Sequence, residues 1–141
     1  MPGNASCRFC QIASHANYVV FEDPLSIAFL DYLPLFIGHT LLIPKAHVET
    51  LEDLPKDALG PFFANVQLLA RAVEQAMQAE GSFVAINNRV SQSVPHLHVH
   101  IVPRRKKDGL RGFFWPRQAH PGDEHMRQAQ AAIQEALAKL K

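Results

Sequence analysis

The sequence predicts an α+β fold, an antiparallel β-sheet carrying a packed central helix and a C-terminal helix. Three observations lead there. Short β-branched or aromatic runs, punctuated by turn residues, come first; a long stretch with helical spacing of apolar residues follows; two more strand-like runs and a second helical stretch complete the chain.

The first runs are Tyr18-Val19-Val20-Phe21, Ser26-Ile27-Ala28-Phe29-Leu30 and Thr40-Leu41-Leu42-Ile43, separated by Asp23-Pro24 and by the segment from Pro34 to Gly38. They predict an antiparallel meander. From Leu59 the period changes: Leu59, Phe62, Phe63, Val66, Leu69, Ala70, Val73 and Met77 fall on one helical face, in a helix ending near Gly81. Pro55 and Pro61 suit only its beginning, because proline lacks the N–H that an interior turn donates. Phe83 to Asn87 reads as a strand, a polar loop from Asn88 to Ser93 follows, and His96 to Val102 reads as a second strand paired with the first. The tail begins with the aromatic segment Gly112-Phe113-Phe114-Trp115-Pro116. It closes with a helix in which Asp123 serves as N-cap before Met126, Ala129, Ile133, Ala136, Leu137 and Leu140.

The 141 residues contain no repeat, linker or low-complexity tract, so one continuous domain over residues 1–141 is expected. Its core spans about residues 7 to 105 and its tail about 106 to 141. The 48% apolar and 19% charged content is that of a soluble globular chain. No apolar run approaches the roughly 20 residues needed to cross a bilayer, which argues against a membrane role. A net charge of +1 gives no global attraction to nucleic acid, and the short cluster Arg104-Arg105-Lys106-Lys107 reads as a solvated turn, with attraction of an anionic small molecule as the alternative. The N-terminus has neither a basic start with an apolar stretch nor a cleavage pattern, so a cytoplasmic location is expected. Cys7 and Cys10 are too close for a disulfide framework; their spacing suits a metal or a redox pair, and a reducing compartment fits both.

The run His96-Leu97-His98-Val99-His100 carries the strongest chemical signal. Side chains alternate along a strand, so three imidazoles project from one face about 6.7 Å apart while Leu97, Val99 and Ile101 project from the other. Core packing does not explain such a row. Metal binding and nucleophilic attack by one imidazole compete as explanations. A metal-dependent hydrolase built on the row would add nearby carboxylates, and none lies between Glu80 and Asp108. The neighbourhood offers instead Asn87, Gln92 and Ser93, neutral hydrogen-bonding groups that hold a phosphate without repelling it.

The segment Gln92-Ser93-Val94-Pro95-His96-Leu97-His98-Val99-His100-Ile101-Val102 resembles the signature of the histidine triad (HIT) superfamily. Phe29-Leu30-Asp31 and the segment from Gly38 to His47 are similar to that family's nucleotide-binding strands. The resemblance runs from about Cys7 to Val102 and implies a HIT-like fold. It also implies a nucleotide hydrolase or transferase acting on phosphoramidates or dinucleoside polyphosphates. By that resemblance His98 attacks the α-phosphorus to form a nucleotidyl-histidine, its other ring nitrogen bound to a backbone carbonyl. His100, His39, Gln92 and Ser93 contact phosphate oxygens or the leaving group, Asp31 receives the ribose hydroxyls, and Asn87 supports the phosphate site. Without it, Asp31 and Asn87 read as turn residues. The alternative is a nucleotide-binding regulatory module with little turnover; leaving group and base preference stay open, the Arg104 to Lys107 cluster and Trp115 following no substrate rule.

The resemblance also implies that His47 and His96 complete a site with Cys7 and Cys10. Four protein ligands leave no open position, so the zinc ion expected there is structural. Finally, the resemblance implies a homodimer paired through the helix from about Leu59 to Met77 and its adjoining strand, with the C-terminal helix exposing a further apolar stripe.

Overall fold

A computed structural model describes residues 4–15, 17–111 and 117–141. The aromatic segment from Gly112 to Pro116, Trp115 included, lies outside the described residues. The chain forms two compact units, Met1–Asp108 and Gly109–Lys141. The first holds α1 (Arg8–His15), β1 (Val19–Glu22), β2 (Ser26–Leu30), β3 (Thr40–Pro44), a 3-10 turn (Leu51–Asp53), α2 (Lys56–Ala76), β4 (Gly81–Ala85) and β5 (Val99–Arg104). The second holds α3 (Asp123–Leu140).

The five strands form one antiparallel sheet in the order β1-β2-β3-β5-β4. The meander expected at the start of the chain is β1 to β3, and β5 enters between β3 and β4. Its β1–β2 turn is held by Asp23, whose Oδ1 accepts from the amides of Leu25 and Ser26 at 2.9 and 2.8 Å. Into β3 the chain turns at Gly38, with φ of +97°; a Cβ there would lie 2.6 Å from Met77 Cγ. Only glycine satisfies both the left-handed backbone and that close approach.

The sheet buries both faces, but with different partners. Ala28, Leu42, Val99 and Ile101 face the apolar stripe of α2, namely Phe62, Val66, Leu69 and Val73. That spacing follows from the helical period. Each such fully buried large side chain stabilises the fold by about 1.5–3 kcal/mol relative to exposure. On the opposite face Ile27, Phe29, Leu41 and Ile43 pack with Cys7, Phe9 and Val94. His100 belongs to this second face, because it is opposite Leu41 in the β3–β5 register and alternates with Val99 and Ile101.

Several boundaries depart from the sequence expectation. β5 begins at Val99, so His96 and His98 precede the strand. Pro95 has no N–H to offer a ladder, the His96 amide bonds back to Val94 at 2.8 Å, and the Leu97 amide goes to Val48 at 2.7 Å. β4 spans Gly81–Ala85 and ends with Ala85 opposite His100, leaving Ile86 and Asn87 beyond the last registered pair. Pro61 lies inside α2, where its missing donor leaves the Asp57 carbonyl without the usual i to i+4 bond. Asp123 is the first residue of α3 and Gly122 its N-cap, so the carboxylate acts on the helix dipole. Helix α1 is not among the elements that the sequence predicts: at eight residues it is too short to hold alone, and it forms because Cys7 and Phe9 are buried against the sheet. Among the described residues no helix is long and apolar enough to cross a membrane.

Candidate functional site

The face of the sheet away from α2 carries a cleft of about 540 Å³. Phe9 and Ile12 from α1, Phe29 and Leu41 from the sheet form apolar walls, while Asp31, Ser93, His98 and His100 supply polar groups. A few convergent polar groups on an apolar lining are what a small organic anion needs for orientation.

His98 is buried, and its Nδ1–H donates to the carbonyl of His96 at 2.7 Å. A carbonyl only accepts, so the neutral ring keeps its proton on Nδ1 and a lone pair on Nε2. The edge-to-face contact with Phe9, at 5.0 Å between centroids, holds the ring plane. Burial pushes the His98 pKa down, against the opposing effects of the His96 carbonyl and Asp31. His98 is therefore uncharged near neutral pH.

His100 lies 5.0 Å from His98 between ring centroids. Burial, then the neighbouring His98 and His39, push its pKa from the ordinary 6.5 to about 4, with Asp31 opposing. His39, also buried, brings Nε2 to 3.0 Å from His100 Nδ1 and accepts the Leu35 amide on Nδ1 at 3.1 Å. Its pKa is lowered by burial, with Asp31 opposing. The 3.6 Å separation of His39 Nε2 from Asp31 Oδ2 thus joins a neutral ring to a carboxylate and is not an ion pair. Asp31 lines the cleft, and its Oδ1 accepts the Leu33 amide at 3.0 Å.

Asn87 and Gln92 stand apart from this group and do not line the cleft. Asn87 is exposed. Gln92 spends its side chain on loop structure: Oε1 accepts the Arg89 amide at 2.8 Å and Nε2 donates to the Glu49 carbonyl at 2.6 Å. Arg89 and Ser91 both have positive φ in this loop, which explains why it needs such clasps.

Cys7, Cys10, His47 and His96 come together behind His98, with their ligand atoms all within 4.8 Å of one another. Cys7 Sγ is 3.4 Å from His96 Nδ1, and Cys10 Sγ is 3.3 Å from His47 Nδ1 and 3.5 Å from His96 Nδ1. A tetrahedral zinc ion with Zn–S of about 2.3 Å and Zn–N of about 2.0–2.1 Å implies S to N separations of about 3.5 Å. The donor set therefore fits. Second contacts agree: His96 Nε2–H donates to the Pro44 carbonyl at 2.8 Å, leaving the Nδ1 lone pair toward the sulfurs, and the Asn4 amide donates to Cys10 Sγ at 3.3 Å.

The sequence alone leaves Phe9 and Ile12 open between walls of a base pocket and ordinary core. Once α1 is known, Phe9 and Ile12 share a helical face at i and i+3; nothing local marks Leu35, whose contribution is a backbone amide.

The HIT domain family model matches residues 13–107. The adenylylsulfatase HINT3 of Arabidopsis thaliana is 33% identical over 108 residues, covering 74% of this chain and 55% of that protein. The asymmetrical bis(5'-nucleosyl)-tetraphosphatase of Schizosaccharomyces pombe is 38% identical over 94 residues, covering 65% and 52%. The chain thus spans about half the length of these two relatives. The crystal structure of a Zn-bound histidine triad family protein from Mycobacterium smegmatis superposes with a TM-score of 0.69 at 34% identity, covering 95% of this chain and 97% of the other.

Proposed function

The chain belongs to the HIT family, and on that premise we propose that it is a nucleotidyl hydrolase or transferase. It cleaves the α-phosphate bond of nucleoside phosphoramidates or dinucleoside polyphosphates through a nucleotidyl-histidine intermediate. The observation that carries this reading is the state of His98, a neutral ring locked by the His96 carbonyl with its Nε2 lone pair available.

In the first step Nε2 of His98 bonds to the α-phosphorus and the bond from phosphorus to the leaving group breaks, the bonding pair departing with that group. The ring becomes cationic, and its Nδ1–H stays on the His96 carbonyl, which stabilises the charge. In the second step water attacks phosphorus and gives up a proton to solvent, the P–N bond breaks with its pair returning to Nε2, and neutral His98 is restored. The nucleoside base lies against Phe9, Ile12 and Phe29, Asp31 receives the ribose hydroxyls through its carboxylate, and Ser93, His100 and His39 serve the phosphate or leaving group. Gln92 supports the loop before His96 through the Arg89 amide and the Glu49 carbonyl and so acts on phosphate through the loop's shape, and Asn87 supports the phosphate site. Both relatives' names describe a 5'-nucleoside joined to an anionic group, which supports a substrate of this class.

Rates on adenosine phosphoramidate and diadenosine polyphosphates, measured side by side with purified protein, test the proposal. Release of a nucleoside monophosphate from at least one is expected. Tight nucleotide binding without turnover of either would leave a regulatory binding module as the reading.

Zinc held by Cys7, Cys10, His47 and His96 is structural in this proposal, and cysteines kept out of a disulfide for such a site suit the cytoplasm. The protein is also proposed to be a homodimer. Strand β4 is a sheet edge with Val84 exposed, and Phe63 and Leu68 are exposed on α2. Sedimentation at micromolar concentration should give twice the chain mass; a species of monomer mass alone would reject the pairing.

A further inference from the structure

Hydrogen-bond bookkeeping in the Asp31, His39 and His100 group leads beyond the assignment of His98. An amide N–H only donates, so the bond from Leu35 to His39 Nδ1 requires a lone pair on that nitrogen. Neutral His39 must then carry its proton on Nε2. That nitrogen is 3.0 Å from His100 Nδ1, which in turn must accept. The proton of neutral His100 is left on its own Nε2, which has no hydrogen-bond partner among the described residues.

We propose that His39 is a positioning residue that, tied to the Leu35 amide, holds His100 as the Nε2–H tautomer, so that His100 meets phosphate oxygens or the departing atom as a neutral hydrogen-bond donor. The neighbouring ring has the opposite state: His98 is protonated on Nδ1 and offers a lone pair at Nε2. Two imidazoles with centroids 5.0 Å apart therefore offer the cleft one acceptor and one donor, each set by a backbone group. This arrangement rests on the reading of His98 as nucleophile for its function, but the tautomer itself does not. Groups facing His100 are His98, His39 and Asp31; burial and the two rings keep it neutral near pH 7.

The same three side chains could instead be taken for a cation site, since their ligand atoms lie within 4.8 Å of one another. Ligation through His39 Nε2 would force the His39 proton onto Nδ1, where the Leu35 amide already points. Hydrogen bonding satisfies both ring nitrogens of His39 and Nδ1 of His100, whereas metal binding would leave the Leu35 amide without its acceptor.

The test is a long-range nitrogen–proton correlation spectrum of the nucleotide-free protein at pH 7, with labelled histidine. His100 should show a protonated Nε2 and an accepting Nδ1, and His39 the same pattern. In His39→Leu the His100 signals should move toward a mixture of tautomers, and kcat should fall about 10–100-fold, the usual effect of losing an outer-shell partner, with a smaller change in nucleotide affinity. His39→Gln, whose amide nitrogen can donate to His100 Nδ1, should restore the Nε2–H signature and part of kcat. A purely structural role for His39 would predict no such rescue of the signature. Protonation of His100 on Nδ1 in the parent protein overturns the proposal even if neither variant folds, and a His39 protonated on Nδ1 with Nε2 unprotonated assigns the group to a cation instead. A parent that shows the expected tautomers yet cleaves no nucleotide would reject the functional reading while leaving the positioning one intact.

Discussion

Alanine at His98 should lower turnover by about 10⁴-fold or more, because the variant lacks the atom proposed to form the covalent bond to phosphorus. The remaining cleft keeps its apolar walls, Asp31 and the donor presented by His100, so a nucleoside monophosphate should still bind. Some stability is lost as well. The His96 carbonyl gives up its 2.7 Å partner, and an unsatisfied buried acceptor costs about 1–3 kcal/mol, so the comparison belongs well below the melting temperature. Replacement of His100 or Ser93 should slow the reaction less, since the nucleophile survives. Rapid quenching of the parent and mass spectrometry should find a nucleotide adduct on His98. A His98→Ala protein that turns over substrate as the parent does would eliminate the covalent mechanism.

Removal of zinc should act on stability far more than on the chemical step. Elemental analysis should give one zinc per chain, and chelation or Cys10→Ser should lower the melting temperature by about 10 °C or more, as a loss of several kcal/mol does in a domain of this size. The reason lies in α1. Its eight residues have too few hydrogen bonds to hold themselves, and Cys7 and Cys10 are where a metal would tie them to His47 and His96, residues far along the chain. Since α1 also carries Phe9 and Ile12 into the cleft, KM should rise when the metal leaves, with kcat changed less. Protein expressed with zinc supplied that proves fully folded and metal-free would rule out this site.

The alternation of imidazole and apolar residues from His96 to Ile101 sorted the two faces correctly although half of that run is not in the ladder. Leu97, Val99 and Ile101 are buried in the core with α2, while His98 and His100 line the cleft. An extended backbone alternates its side chains whether or not a neighbour pairs with it. The same holds for Phe62, Val66, Leu69 and Val73, whose common face follows from the helical period alone. Cys7 and Cys10 likewise declared a paired site through their spacing, and resemblance, not spacing, named His47 and His96 as partners.

What the sequence by itself determined, then, was every property set by a local repeat: the α+β class, the meander, the apolar face of α2, and the row of histidines. The tertiary structure alone decided where each polar atom spends its hydrogen bonds. Gln92 could read as a phosphate ligand until Arg89 and Glu49 claimed its amide, and the tautomer of His100 depends on the amide of Leu35, which reaches it through His39. Pro95 and the Val48 carbonyl delayed the start of β5, and burial against the sheet made a helix of α1. Periodicity is a property of neighbouring residues and survives in the sequence, whereas a donor's partner depends on which distant backbone group arrives beside it. Only the packed chain brings that group into place.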